Sequence, residues 1–390
     1  MSSRKFDKNK MIVGVLVATG LGMLLRWTGI DFEGVDYLKS LLPWYQGLAE
    51  NGTLKGLAEY NGDYNIPYVT LLYFLTKIPL EPLVSIKLSS IVFDVMEALV
   101  VLIIVGEIAE EEKKNWYGFL SYALIFCNPV AVVNSGYLAQ CESVWAALVL
   151  LCFWCLWKEH PVWAILTFGV AFAMKPQGIF ILPIIILLYY RLKNFSLLHL
   201  VWFPVAIQIL CIPAIMGGCS FDVFIKNLKM MMGHYPYVYY YYPNIWTYIQ
   251  NAPYYVFGKV GICSAFAVLL VFMLIFAWSK KKLKLEDYFE YIIFTTMTCV
   301  MILPCMHERY NYMAEILLPV CAVWKKKYRV PALVLVICSM LCNGQSYLGW
   351  PWVSHELLAA CNIAVYIYLA VECVKGLGFK VFPGKEETLC

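Results

Sequence analysis

A handful of polar stretches interrupt an otherwise apolar chain. Asp31, Glu33 and Asp36 place three carboxylates within six residues, with Glu59 and Asp63 further along. Gln140 and Glu142 lie in GYLAQCES, Lys175 and Gln177 in MKPQ, and His307, Glu308 and Arg309 in LPCMHERYNY. His234 stands at the head of a tyrosine-rich run, HYPYVYYYYPNIW. A carboxylate can take a proton from an attacking hydroxyl. A glutamine amide donates and accepts, which suits hydroxyl recognition. The arginine fork matches phosphate oxygens, and cations stabilise charge building on a departing phosphate. Histidine titrates near neutral pH. Taken together, these groups describe transfer from an anion-linked donor to a hydroxylated acceptor.

Each group also has a plainer role. Apolar residues recur at three- and four-residue intervals from Tyr37 to Ala49 (Leu38, Leu41, Leu42, Tyr45, Leu48), so the segment reads as an amphipathic helix in the membrane interface. Asp36 then stands at its N-cap. Glu142 suits a helix N-terminus, Lys175 can snorkel to a surface, and Glu308 can simply pair with Arg309. Tyrosines gather at membrane interfaces in any case. His307, Glu308 and His234 match no zinc spacing, so no metal is assigned to the site. No cofactor is assigned either, and the need for a divalent cation is left open.

The elements that must position these groups are membrane helices. Of 390 residues, 62% are hydrophobic and 14% charged, with a mean hydropathy of +0.69. An ordinary soluble domain is about 45–50% apolar and about 25% charged. The chain therefore reads as an all-α integral membrane protein, a single domain over 1–390. The 15 cysteines, including Cys152 and Cys155 of a CxxC, lie mostly in apolar runs and read as small core residues. The first apolar run, 11–28, lacks a small-residue cleavage site and reads as a retained span.

Further runs lie at 83–105, 116–133, 142–157, 161–174, 178–190, 196–216, 256–278, 288–305, 311–324, 330–345 and 356–374. The run 66–79 is bounded by Pro67 and Pro79 and reaches only about 21 Å, short of a core of about 30 Å. It is expected to lie on the membrane surface. Twelve spans with a cytoplasmic N-terminus give tails at 1–10 and 375–390 and an outer loop at 29–82. Cytoplasmic segments then carry 20 of the 30 lysines and arginines. Outer ones carry Lys39, Lys55, Lys77, Lys175, Lys226, Lys229, Lys259 and Arg309, as the positive-inside rule requires. Arg26 and Lys87 fall within spans. Lys175-Pro176 is expected to break 161–190 into a hairpin. This threading puts every polar stretch named above on the outer face, where a convergent set is a functional-site hypothesis.

The order of short motifs adds a resemblance. DY then PWY (36–45), GDYNIPY (62–68), IKLSSIVFD (86–94), NP then AQCES (128–143), MKPQ (174–177) and MHERY (306–310) cover roughly residues 20–325. With these, the chain resembles the polytopic GT-C glycosyltransferases, most closely bacterial mannosyltransferase-like proteins related to the second GPI mannosyltransferase. The resemblance implies inverting transfer of a hexose, mannose in the family, from a polyprenyl-phosphate donor to a glycolipid or glycan acceptor in membrane lipid. It implies an active site on the outer face of a bacterial plasma membrane, or on the lumenal side of the ER in a eukaryote. It implies that Asp36 is the base, with Asp31 the fallback, and that Lys175, Gln177, His307 and Arg309 hold the donor phosphate or sugar. Gln140, Glu142, Asp63, His234 and Glu308 are left for the acceptor and the sugars. Where the family shows Gly-Gln-x-Asp, this chain has Ala139-Gln140-Cys141-Glu142, which keeps the charge and adds a methylene. Two rival readings are a lipid-linked sugar transporter or flippase and an envelope polysaccharide polymerase. The chain shows no second copy of its motifs, as repeated transporter halves would, and its longest outer loops hold no arginine.

Overall fold

The computed structural model describes residues 6–192, 194–232, 235–350 and 352–379. Among these residues the structure is helical throughout, with no strand. α1 (Lys8–Trp27) leads to a long loop that holds α2 (Leu42–Asn51), α3 (Lys55–Glu59) and α4 (Ile66–Leu75). Then come α5 (Pro82–Ile108), α6 (Lys114–Phe126), α7 (Pro129–Val132), α8 (Glu142–Trp157), α9 (Pro161–Met174), α10 (Leu182–Arg191) and α11 (Trp202–Met216). The chain closes with α12 (Val223–Met232), α13 (Tyr254–Trp278), α14 (Leu285–Ile302), α15 (Tyr312–Trp324), α16 (Arg329–Leu348) and α17 (His355–Gly376).

Proline sets many of these starts. It stands at the first or second position of α2, α4, α5, α7, α9 and α10, where its missing N–H costs nothing and its fixed φ suits a helix. At Asn128-Pro129 it breaks a run: α6 and the segment Pro129–Tyr137 meet at 41°, and the Asn128 side chain caps Val130 N at 3.0 Å.

Among the described residues six helices are long and apolar enough to cross a membrane, or seven if that bent pair is one span. They include α1, α5, α13 and α17; α11 and α16 join them together with the short helical turns at their N-termini. The protein is thus a helical protein with the make-up of a multi-pass membrane protein. α14 is buried on every side except at Glu286, and α8 and α15 are nearly so. A helix that is apolar all round belongs in a core. α1 and α13 instead turn Leu16, Val17, Leu24, Phe266 and Leu270 outward, as a lipid-facing surface does.

The short helix α4 corrects the expectation for 66–79. Ten residues reach about 15 Å, so it is too short to cross. It does not lie on a surface, however. Ile66, Tyr68, Val69 and Leu72 are all but fully buried, and α4 packs against α2, α9 and α11. The break in 161–190 falls where expected: Lys175 is extended, and the turn Pro176–Ile181 folds over the end of α9. A Cβ on Gly178 would stand 2.9 Å from Phe172 N. The described cysteines are free thiols.

Two basic residues inside helices position the loops. Arg26 pairs with Asp94 at 2.8 Å and donates to Ser135 Oγ at 3.0 Å. Lys87 donates to the carbonyls of Gly29, Ile30 and Phe32 at 2.8–2.9 Å, which fixes the root of the first loop.

A candidate active site around Arg309

The site is built up from the N-terminus of α8. A helical turn at Val133–Tyr137 rests on α1, so close that a Cβ on Gly136 would stand 2.9 Å from Arg26 Cα. Asn134 in that turn accepts a bond from Glu142 N at 3.3 Å. Ala139 has φ +55°, in the left-handed region. Such a conformation favours glycine. This turn delivers Gln140 and Glu142 together. Glu142 is fully buried: Oε2 accepts from Trp145 Nε1 at 2.7 Å, and Oε1 pairs with Lys175. Glu142 and Lys175 therefore form a neutralised floor.

Arg309, in the loop between α14 and α15, lies above that floor. Its guanidinium meets three carboxylates from three separate segments. Nη1 reaches Glu308 Oε1 at 2.6 Å, Nη2 reaches Asp36 Oδ2 at 3.1 Å, and Nε lies 3.5 Å from Glu142 Oε1. Tyr347 OH donates to Glu308 at 2.6 Å. Exposure separates the three partners: the side chain of Glu142 is 0% exposed and that of Glu308 3%, but that of Asp36 is 38%.

Asp36 does not cap its helix. It has helical φ and ψ, and its side chain makes no capping bond. The carboxylate accepts instead from Gln140 Nε2 at 2.9 Å. Tyr64 OH donates to Gln140 Oε1 at 3.1 Å and so turns the amide N–H toward Asp36. Burial holds the Tyr64 phenol well above its ordinary pKa, so it stays a donor. Tyr37, Leu41, Tyr45 and Leu48 bury the inward face of this segment. Leu38, expected on that face, is 46% exposed.

These groups line a cavity of about 500 Å3, within the range of small-molecule sites. Asp36, Asp63, Lys175, Gln177, His307, Glu308 and Arg309 all line it, joined by Lys39, Asn65, Ser346 and Tyr347. Asp63 accepts from Tyr235 OH at 2.9 Å. The His307 ring packs 4.5–5.6 Å from the rings of Tyr240, Tyr310 and Tyr235. Burial, and then the neighbouring Arg309 charge, hold His307 well below its ordinary pKa. It is neutral at physiological pH, so Arg309 and Lys175 carry the positive charge beside it.

The structure thus brings together most of the residues the sequence singled out. Gln140 and Glu142 sit behind Asp36 and Arg309 and do not line the cavity. Asp31, the fallback base, lies outside it. His234 lies outside the described residues, and with it the three-residue zinc set. Tyr64, Asn65, Trp145 and Tyr347 were missed. Tyr64 and Asn65 carried a signal as part of GDYNIPY, 62–68, and Tyr347 in NGQSY, 343–347, a polar break at the end of the apolar run of α16. Compared with known proteins, the chain matches no family model and no curated protein.

Proposed function

We propose that the protein is a membrane glycosyltransferase of the GT-C type. It transfers a hexose, mannose by resemblance, from a polyprenyl-phosphate donor to a glycolipid or glycan acceptor of the cell envelope. The observation that carries this reading is the partly exposed Asp36 carboxylate, set beside a buried arginine at the wall of a polar cavity. Twelve crossings follow if α8, α9, α10, α14 and α15 cross along with the six long helices and the bent pair. Helices buried in protein can be short, because neighbouring helices satisfy what lipid cannot. The charge bias then puts the cavity on the outer face of a bacterial plasma membrane.

In this mechanism the donor phosphate takes Arg309 Nη2 from Asp36. Asp36 keeps its bond to Gln140 and, released from its ion pair, is open to the acceptor hydroxyl. The acceptor hydroxyl attacks the anomeric carbon from the face opposite the phosphate. Its proton passes to Asp36 as the new C–O bond forms. The old anomeric C–O bond breaks, and its electron pair leaves with polyprenyl phosphate, stabilised by Arg309. The sugar inverts. Lys175, neutralised by Glu142, supports Arg309 from below.

The test is made on purified protein in lipid with a short-chain polyprenyl-phosphate mannose. Release of polyprenyl phosphate is expected. Asp36→Asn should slow it about a hundred- to ten-thousandfold, the usual size of a general base's contribution, with the fold intact. Turnover in Asp36→Asn at the wild-type rate would remove Asp36 from the role. If no lipid-linked hexose is consumed with any acceptor, the weight moves to transport.

A further inference from the structure

Two buried amide oxygens, on residues that line the cavity, have no hydrogen-bond partner among the described residues. Asn65 is 1% exposed and Gln177 6%. Asn65 Oδ1 and Gln177 Oε1 are both shielded and without a hydrogen bond. Buried acceptors of this kind are rare and costly, and each calls for an explanation. Both side chains line the same cavity as Arg309.

They also share a place in the fold. Asn65 precedes α4, and its Nδ2 donates to Phe172 O at 3.2 Å, which leaves Oδ1 as the free end. Gln177 precedes Gly178, whose missing Cβ lets the chain lie against the backbone of Phe172. Asn65 and the turn that carries Gln177 therefore both lie against Phe172 of α9, and both residues line the same cavity.

Their chemistry narrows the ligand. A carbonyl oxygen only accepts, and a sugar-phosphate diester carries no proton on its phosphate to offer it. These two oxygens therefore do not hold the phosphate. They suit O–H donors, of which a sugar ring has several. Building on the transferase reading, we infer that Asn65 and Gln177 form a hydroxyl-reading subsite for the transferred sugar. Arg309 takes the phosphate, so the donor lies with its sugar toward α4 and α9. Gln177, grouped by resemblance with phosphate or sugar binding, is assigned to the sugar, and Asn65 joins it as a specificity residue.

The test separates sugar from phosphate by binding alone. A prenyl-phosphate mannose and the same prenyl phosphate without sugar are titrated into wild type, Asn65→Ala, Gln177→Leu and Arg309→Ala. Wild type should bind the sugar-bearing lipid more tightly, by about tenfold for two good hydrogen bonds. Asn65→Ala and Gln177→Leu should each lose several-fold of that advantage and leave prenyl phosphate binding unchanged. Arg309→Ala should weaken both ligands equally. Gln177→Leu is nearly isosteric and makes no protein bond through Oε1, so it keeps the test valid if Asn65→Ala unsettles α4. The subsite is overturned if both amide variants keep the full sugar advantage, or weaken the two ligands alike. If wild type binds neither lipid, the subsite and the lipid-phosphate donor fall together. If the sugar advantage behaves as expected but no transfer occurs under any condition, the subsite stands and the transferase reading falls.

Discussion

Among the described residues two arginines are buried, and they have opposite surroundings. Arg26 meets one carboxylate, Asp94, and both side chains are 1% exposed. Ser135 and the carbonyls of Gly22 and Phe126 also accept from it. Arg309 meets three carboxylates, one of them 38% exposed at a cavity wall. The first cluster is closed and balanced. The second holds more negative charge than its arginine can neutralise, with a floor lysine already committed to Glu142. A balanced, sealed pair fixes helices in place. An unbalanced, open one can exchange a partner for a ligand.

The largest effect expected from this contrast is on stability. Arg26→Ala should cost about 3–5 kcal/mol, because it leaves Asp94 charged and unpaired in the interior. Melting in detergent checks this, and Arg26→Met with Asp94→Leu should recover most of the loss. Equal loss from the single and double variants would make the Arg26 pair more than a brace. At the other arginine the expected change is in affinity. Asp36→Asn should tighten binding of a prenyl monophosphate about two- to fivefold, because it removes a competitor for Nη2. Asp63→Asn lines the same cavity without touching Arg309 and should not do so. Equal tightening in both would reduce the effect to general charge.

Smaller effects sharpen the same line. Ala139→Gly should raise stability by about 0.5–1 kcal/mol, because the left-handed conformation that delivers Gln140 and Glu142 strains an alanine more than it costs a glycine. A lower melting temperature would mean that strain is not stored there. The smallest effect belongs to His307. Its pKa is held well below 6.5, so its charge change falls below neutral pH. His307→Gln should leave the shape of the rate profile between about pH 6 and 8 unchanged. Loss of an inflection in that window would restore it as a titrating group.

Much of this was legible in the chain. The spacing of Leu38, Leu41, Leu42, Tyr45 and Leu48 pointed to the helix after Asp36, although Leu38 faces outward, and Lys175-Pro176 pointed to the break after α9. Three things were not. The capping account of Asp36 fails because the helix already takes in Val35 and Asp36, and because Gln140 and Arg309 reach its carboxylate from distant segments. α4 looks like a surface helix because hydropathy reports length and apolarity, not what covers a helix. Arg26 and Arg309 are the same letter, and nothing near either counts the carboxylates that long-range folding brings to it.

Lys87 has a consequence for how the first loop is held. Its ammonium takes carbonyls at Gly29, Ile30 and Phe32, so the stretch from Phe32 to Lys87 is closed into a ring at its base. Asp36 sits four residues beyond that clip, so the carboxylate at the cavity wall rides on a tethered root and not on a free loop.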